Sequence, residues 1–139
     1  MCLFSALTSY SKHLKTTPAL SPEQVICNVW KGKKQRVLWS KIGPYKLFTK
    51  NMMGLAPQKK LESEIVNAYL HNLASRLQSS GVAAFLIDSY QMSAIWRGSK
   101  KGLKKLDPSG YDVLFGAVCD SNHWTFIAMY PKEGKIHLH

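Results

Sequence analysis

This chain of 139 residues lacks the features that mark secreted or membrane-spanning proteins. Its three cysteines are odd in number and have no regular spacing, which argues against a disulfide framework and for a reducing compartment, the nucleus or the cytoplasm. The longest apolar run, residues 82–87, is far shorter than the roughly 20 residues that cross a bilayer. The apolar N-terminus has no basic segment of the kind that begins a secretory signal. We therefore expect no contact with a membrane.

Several catalytic and metal-binding motifs are also missing. The sequence contains no C-x-x-C, no H-E-x-x-H, no glycine-rich phosphate loop and no G-x-S-x-G, so zinc, nucleotide and serine-hydrolase sites have no support. His137 and His139 alternate onto one face of a predicted strand and could supply two metal ligands, but no third ligand is evident. We expect no metal and no cofactor.

Acidic residues are few, and the positive charge is clustered. Nineteen Lys and Arg against eight Asp and Glu give a net charge of +11 and a pI near 9.7. Residues 31–60 contain no acidic side chain, and a second cluster comprises Lys100, Lys101, Lys104 and Lys105. Such clusters attract nucleic acid or an acidic protein surface, or they only keep a lysine-rich surface solvated.

Length and composition predict one domain after a short leader. The chain is long enough for one hydrophobic core, with 45% hydrophobic and 11% aromatic residues. Residues 1–22 are rich in Ser, Thr and Pro and form the predicted loose leader, which leaves 23–139 as the domain. Short apolar patches at 25–30 and 37–39 suggest a hairpin or two irregular segments. Gly43-Pro44-Tyr45 indicates a turn.

One long helix stands out in the middle of the chain. Pro57 suits its first turn and Gly81 suits its end, which gives about five turns. Its predicted core face consists of apolar residues spaced four apart, together with two neighbours that widen the stripe: Leu61, Ile65, Tyr69, Leu73 and Leu77, with Val66 and Leu70.

The second half reads mainly as strands. Residues 82–87 form a buried strand or connection, 89–96 a short helix, and 97–110 a basic surface loop. Residues 111–118 and 124–130 form adjacent strands joined by a polar turn, and a third strand begins at Lys135. The expected fold class is α+β, with the long helix on a mixed or antiparallel sheet. Since the last strand is still running at His139, we expect a fragment.

His123 is the leading candidate for chemistry, although a surface histidine in a turn is the commoner situation. It lies where a turn meets a strand, and a rigid strand end can hold an imidazole as a general base. Cys119 lies four residues earlier and is a conceivable nucleophile. Because Cys119 ends one strand and His123 begins the next, their side chains need not converge, and we expect a small buried structural thiol.

Two segments in a fixed order resemble a known family. Residues 43–70, from Gly-Pro-Tyr through Leu-Ala-Pro-Gln into the helix, are similar to the opening of the ubiquitin-like-protein-specific cysteine proteases, the Ulp or sentrin-specific protease family. The apolar strand, the helix ending at Trp96, the strand from Asp112 and then Asn122-His123-Trp124 follow the order of that family up to its His-Trp motif. The resemblance covers residues 42–139.

The resemblance implies an incomplete, papain-like thiol protease that cleaves after the C-terminal Gly-Gly of a SUMO-like modifier, in maturation or deconjugation. His123 would be the catalytic base, paired in the family with a Cys nucleophile and an Asp. Trp124 would roof the narrow tunnel for the two glycines, because only a residue without a Cβ passes so closely beneath an indole.

The chain departs from the family pattern at three places. Lys60-Leu61 stands where the family often has Trp-Leu, and residues 62–64 replace the usual Asn-Asp, so modifier recognition is expected to differ. The orienting Asp is expected just after the last strand, and the oxyanion-hole Gln and nucleophilic Cys later still. None of Cys2, Cys27 and Cys119 matches that Cys, so we expect the chain as given to be inactive.

A binding role is the alternative. A catalytically inactive basic module would dock a ubiquitin-like protein through residues 31–60 and the loop at Lys100 to Lys105, or bind nucleic acid, which charge alone supports.

Overall fold

The structure is a computed structural model that describes residues 20–31 and 36–139. The chain divides between residues 65 and 66 into two compact units, which are described separately. Residues 1–19 of the predicted leader lie outside the described residues, and Pro22, its last residue, begins a helix. No helix of the described ranges is long and apolar enough to span a bilayer.

The first unit begins with helix α1, Pro22–Trp30. Ser21 caps it, since the Ser21 hydroxyl accepts from the Gln24 amide and the Gln24 side chain accepts from the Ser21 amide. The expectation of a hairpin or irregular segment at residues 25–30 was therefore wrong. A capping box with proline at the first helical position outweighed the short apolar patch that suggested a strand.

A small hairpin and a short helix complete the first unit. Strands β1, Leu38–Ile42, and β2, Tyr45–Phe48, pair antiparallel around the turn predicted at Gly43-Pro44. Helix α2, Thr49–Met53, follows directly. Tryptophan side chains fasten it, because Trp39 Nε1 donates to Thr49 Oγ1 at 3.0 Å and Trp30 Nε1 donates to the Met52 carbonyl at 3.2 Å.

The long helix, α3, spans Ser63–Ser79, so it begins six residues later than Pro57 suggests. Leu61 lies before the helix and is exposed, and Tyr69 is also exposed. Residues spaced strictly four apart drift about 40° per turn, because an α-helix has 3.6 residues per turn. The buried stripe of the helix in the second unit instead centres on Leu70 and Ala74, with Val66, Leu73 and Leu77 beside it.

The second unit is a mixed sheet between helices. Its strands are β3, Ala84–Leu86, β4, Val113–Asp120, β5, His123–Tyr130, and β6, Lys135–Leu138, in the spatial order β3-β4-β5-β6. β3 runs parallel to β4, and the other neighbours are antiparallel. Helix α4, Ser89–Trp96, connects β3 to the loop before β4, and short 3₁₀ turns span Pro108–Gly110 and Pro131–Glu133. The predicted α+β class is confirmed.

The two faces of this sheet carry separate hydrophobic clusters. On one face Leu70 and Ala74 of α3 pack with Phe115 and Ala128. On the other face Met92 of α4 packs with residues of β4 and β5 such as Val118 and Ile127. β4 is therefore covered on both sides, which fixes the strand that leads into the predicted turn.

Candidate functional site

A tight turn joins β4 to β5 at the position where the sequence places its candidate residues. Only Ser121 and Asn122 separate the strands, and both have positive φ, 49° and 64°. Positive φ at both central residues is the geometry of hairpin turns that match the strand twist, and asparagine tolerates it well. The turn therefore sets the register of the residues on either side.

His123 is the first residue of β5 and is exposed, as the sequence predicts for a residue at the junction of turn and strand. It pairs directly with Asp120 in the antiparallel register. Paired residues share a face of the sheet, so Asp120 presents its carboxylate on the same face as the imidazole. Sequence reasoning missed Asp120, although a two-residue turn predicts this opposition.

Trp124 follows on the other face and is half-buried. Its side chain packs against the cluster that contains Phe115 and Ala117. The indole is therefore held by the core and keeps part of its surface open, which is the exposure that a wall of a narrow slot needs. Its role there stays a prediction.

Cys119 lies opposite Trp124 in the register, so it shares the face of the indole and not that of His123. The structure thus separates the thiol and the imidazole onto opposite faces of the hairpin. The expectation of a buried thiol was wrong, since Cys119 is exposed. Burial along β4 ends at Val118, one residue before the cysteine.

His137 lies in β6 and His139 directly follows that strand, with ring centroids 6.2 Å apart. Tyr130 and Phe126 of β5 flank them, at 5.5 and 6.5 Å between centroids. Within residues 20–31 and 36–139 no group of three or more His, Cys, Asp and Glu side chains is placed to hold a metal ion. The pair is an aromatic contact along the edge of the sheet.

Ion pairs of the second unit lie at the end of the sheet remote from the β4–β5 turn. Lys132 Nζ donates to Asp112 Oδ1 at 2.6 Å, and the Ala83 amide donates to Asp112 Oδ2 at 2.8 Å. Both hydrogen bonds lower the pKa of the Asp112 carboxyl, and the bond from Lys132 has the larger effect. Lys135 pairs with Glu133 at 2.9 Å, which raises the pKa of Lys135.

Basic residues of the two predicted clusters are exposed where the structure describes them. Lys41 and Lys46 lie directly opposite each other in the β1–β2 hairpin, although like charges in that position repel. Lys33 and Lys34 lie outside the described residues. Lys100, Lys101, Lys104 and Lys105 are all exposed in the loop after α4.

No protein-family model and no curated protein matches the chain. Solved structures do. The SUMO protease Ulp1 with its catalytic cysteine oxidised to a sulfenic acid matches with a TM-score of 0.61 and 15% identity, covering 87% of this chain and 56% of that chain. The C-terminal Ulp1 protease domain in complex with Smt3, the yeast ortholog of SUMO, matches with a TM-score of 0.62 and 14% identity, covering 90% and 58%.

The Chaetomium thermophilum Ulp1-like SUMO protease catalytic domain is similar to the same degree, with a TM-score of 0.62 and 14% identity, covering 91% of this chain and 57% of that one. The chain thus spans somewhat more than half the length of these structures. The likeness shows the fold: the chain has the α+β, cysteine-protease fold of the ubiquitin-like protease type, as predicted.

Proposed function

We propose that this chain forms the histidine-bearing part of a cysteine peptidase that acts on a ubiquitin-like modifier. The observation that carries the proposal is the pair His123-Trp124 at the start of β5, immediately after a two-residue turn. The imidazole lies exposed on one face of a rigid hairpin, and the neighbouring indole is half-buried on the other. The similar folds of SUMO proteases, one of them solved with Smt3, support a SUMO-like substrate.

His123 is the general base in this proposal. A neutral imidazole takes the proton of a cysteine thiol, and the thiolate attacks the carbonyl carbon of the second glycine. The imidazolium then gives the proton to the leaving amine as the C–N bond breaks, and water hydrolyses the thioester that remains, which regenerates the thiol. A carboxylate on the other ring nitrogen keeps the ring oriented. The proposal does not assign the thiol to Cys119, because the register pairs Cys119 with Trp124 and places Asp120, not Cys119, opposite His123.

Trp124 is the residue that selects glycine. An indole anchored in the core presents a flat, rigid wall, and a peptide backbone passes close to such a wall only where no Cβ intervenes. Two consecutive glycines at the end of a modifier meet that requirement, and most other dipeptides do not.

Binding without cleavage is the second candidate function. The separation of Cys119 from His123 favours it, because the described hairpin holds a base and a specificity wall without a thiol on the side of the base. In this role the chain would recognise the modifier's tail through Trp124 and release it intact.

Tail-dependent binding tests the shared basis of both roles. Calorimetric titration of the 139-residue chain would compare a SUMO-like modifier that ends in Gly-Gly with the same modifier ending in Ala-Ala. We expect the alanine tail to bind at least about tenfold more weakly, and Trp124→Ala to lose about 30-fold in affinity for the glycine tail, which corresponds to the loss of a buried aromatic anchor.

The matched control is Tyr90→Ala, which removes a more exposed aromatic side chain from α4. It should leave the preference for glycine unchanged. Trp124→Phe keeps an aromatic side chain at this position, and circular dichroism shows whether each variant is folded. Together they separate loss of the wall from loss of the fold. Equal affinity of the unaltered chain for both tails, or a folded Trp124→Ala variant that keeps the preference, would contradict the proposal.

A further inference from the structure

The loop that follows α4 concentrates positive charge beside an exposed indole. This basic loop comprises residues 97–106. Trp96, the last residue of α4, is 52% exposed. The loop's exposed cationic side chains come from two short stretches: Arg97, Lys100, Lys101, Lys104 and Lys105.

Three contacts hold the basic loop in a defined conformation. Gly98 adopts φ 91°, and its amide donates to the Ile95 carbonyl at 2.8 Å, which closes the end of α4. Gln91 Nε2 donates to the Gly102 carbonyl at 3.3 Å and ties the middle of the loop to the helix. Leu106 packs against the core cluster on that face. The lysines therefore extend from a fixed backbone, which lowers the entropy lost when they bind a partner.

The charge of the basic loop is not paired within the described residues. The ion pairs there join Lys132 to Asp112 and Lys135 to Glu133, and none involves the loop's lysines. Asp107, which follows the loop and accepts from the Ser109 amide and hydroxyl, keeps its negative charge, so residues 97–107 carry five positive charges and one negative, a net charge of +4. Four lysines and one arginine consequently act together on approaching anions.

We infer that the basic loop and Trp96 form a binding surface for single-stranded nucleic acid. Lysine ammonium groups bind phosphates as point charges, and the exposed aromatic ring at the start of the loop offers a platform on which a base stacks. An acidic peptide would satisfy the lysines, but its carboxylate groups do not stack on an indole as a nucleobase does. The inference does not rest on the proposed peptidase role, because it uses other residues.

Fluorescence anisotropy with a labelled oligothymidylate of about 12 nucleotides tests the inference on the 139-residue chain, a length within the range that single-strand sites cover. The affinity should fall linearly in log salt. The double variant Lys100→Gln/Lys101→Gln should reduce the slope by about 1.4, because each single-strand phosphate contact contributes about 0.7.

Lys132→Gln/Lys135→Gln is the matched control, since it removes the same charge from lysines that already have carboxylate partners. It should leave the slope unchanged. Trp96→Ala should weaken binding by about 5- to 150-fold, the effect of losing one stacked base, and Trp96→Phe should retain most of the affinity.

Several results would overturn the inference. Equal losses from the two double variants would mean that net charge alone attracts the oligonucleotide. If polyglutamate or a DNA duplex bound as tightly as the oligothymidylate, the surface would have no stacking site. Absence of binding at about 50 mM salt would remove the surface altogether.

Discussion

Two strands of the four-stranded sheet, β4 and β6, have opposite environments. From Val113 to Val118 every residue of β4 is buried, because α3 covers one face and α4 the other. Every residue of β6 is exposed, and its two apolar side chains, Ile136 and Leu138, are 67% and 58% exposed. A single strand, β5, separates the strand that anchors the fold from one that buries little surface.

The candidate site lies at the boundary between these environments. β4 is buried up to Val118 and emerges with Cys119 and Asp120, and β5 begins with exposed His123 before its centre becomes buried. The buried part of β4 thus holds in place a turn whose residues are exposed. Fold and function should consequently respond to different substitutions.

The largest effect is expected where β4 is most buried. Phe115 is 2% exposed and packs in the cluster beneath α3. Phe115→Ala should reduce the free energy of unfolding by about 3–5 kcal/mol, the cost of a large cavity. Ile136→Ala in β6 should change it by less than about 0.5 kcal/mol. Urea denaturation measures both, and similar values for the two variants would break the comparison.

A smaller but sharper effect is expected at Gly116. A Cβ built there overlaps the Ile87 carbonyl oxygen and lies 2.7 Å from Met92 Cε, so the connection between β3 and α4 has to pass against a bare backbone. Gly116→Ala should therefore reduce the free energy of unfolding by about 1–3 kcal/mol. Gly110→Ala is the control, since its Cβ would have no neighbour within 4 Å. A stable Gly116→Ala variant would mean that α4 packs less closely than described.

The smallest effect concerns the exposed ion pair of Asp112 with Lys132. Its bonds lower the folded-state pKa of Asp112, so its contribution to stability is present above the ordinary carboxyl pKa and is lost as the pH falls through the lowered value. Asp112→Asn should be slightly less stable than the unaltered chain at pH 7. On thermal denaturation that difference should begin to shrink as the pH falls below about 4 and should vanish once the pH lies below the lowered pKa of Asp112.

Lys132→Gln removes the other partner and should give the same small loss at pH 7. The double variant should be no less stable than either single variant. An additive loss in the double variant would show that the two side chains act independently.

The sequence predicted the second unit better than the first. Alternating apolar residues and the polar turn before His123 gave the strands of the hairpin, because local patterns decide such elements. The apolar patch of α1 is too short to show a helical period, whereas the capping box at Ser21 and the proline at the first position specify the helix. The helical and strand periods of the apolar residues likewise predict that a helix packs on a sheet.

Details that depend on tertiary packing could not be predicted. Tyr69 does not lie on the buried face of α3. Residues spaced four apart drift around the helix, and the position of the sheet decides which side chains are covered. The exposure of Cys119 depends on how far the helices extend along β4. The location of His123 was predicted and is confirmed, whereas its role as a base stays a prediction.

The most direct measurement is intermolecular nuclear Overhauser contacts between the chain and a SUMO-like modifier with ¹³C-labelled terminal glycines. The account predicts contacts from the glycine Hα protons to the indole of Trp124 and, next to it, to the hairpin at His123. A bound modifier whose glycines contact other residues, with no contact to that indole, would contradict it.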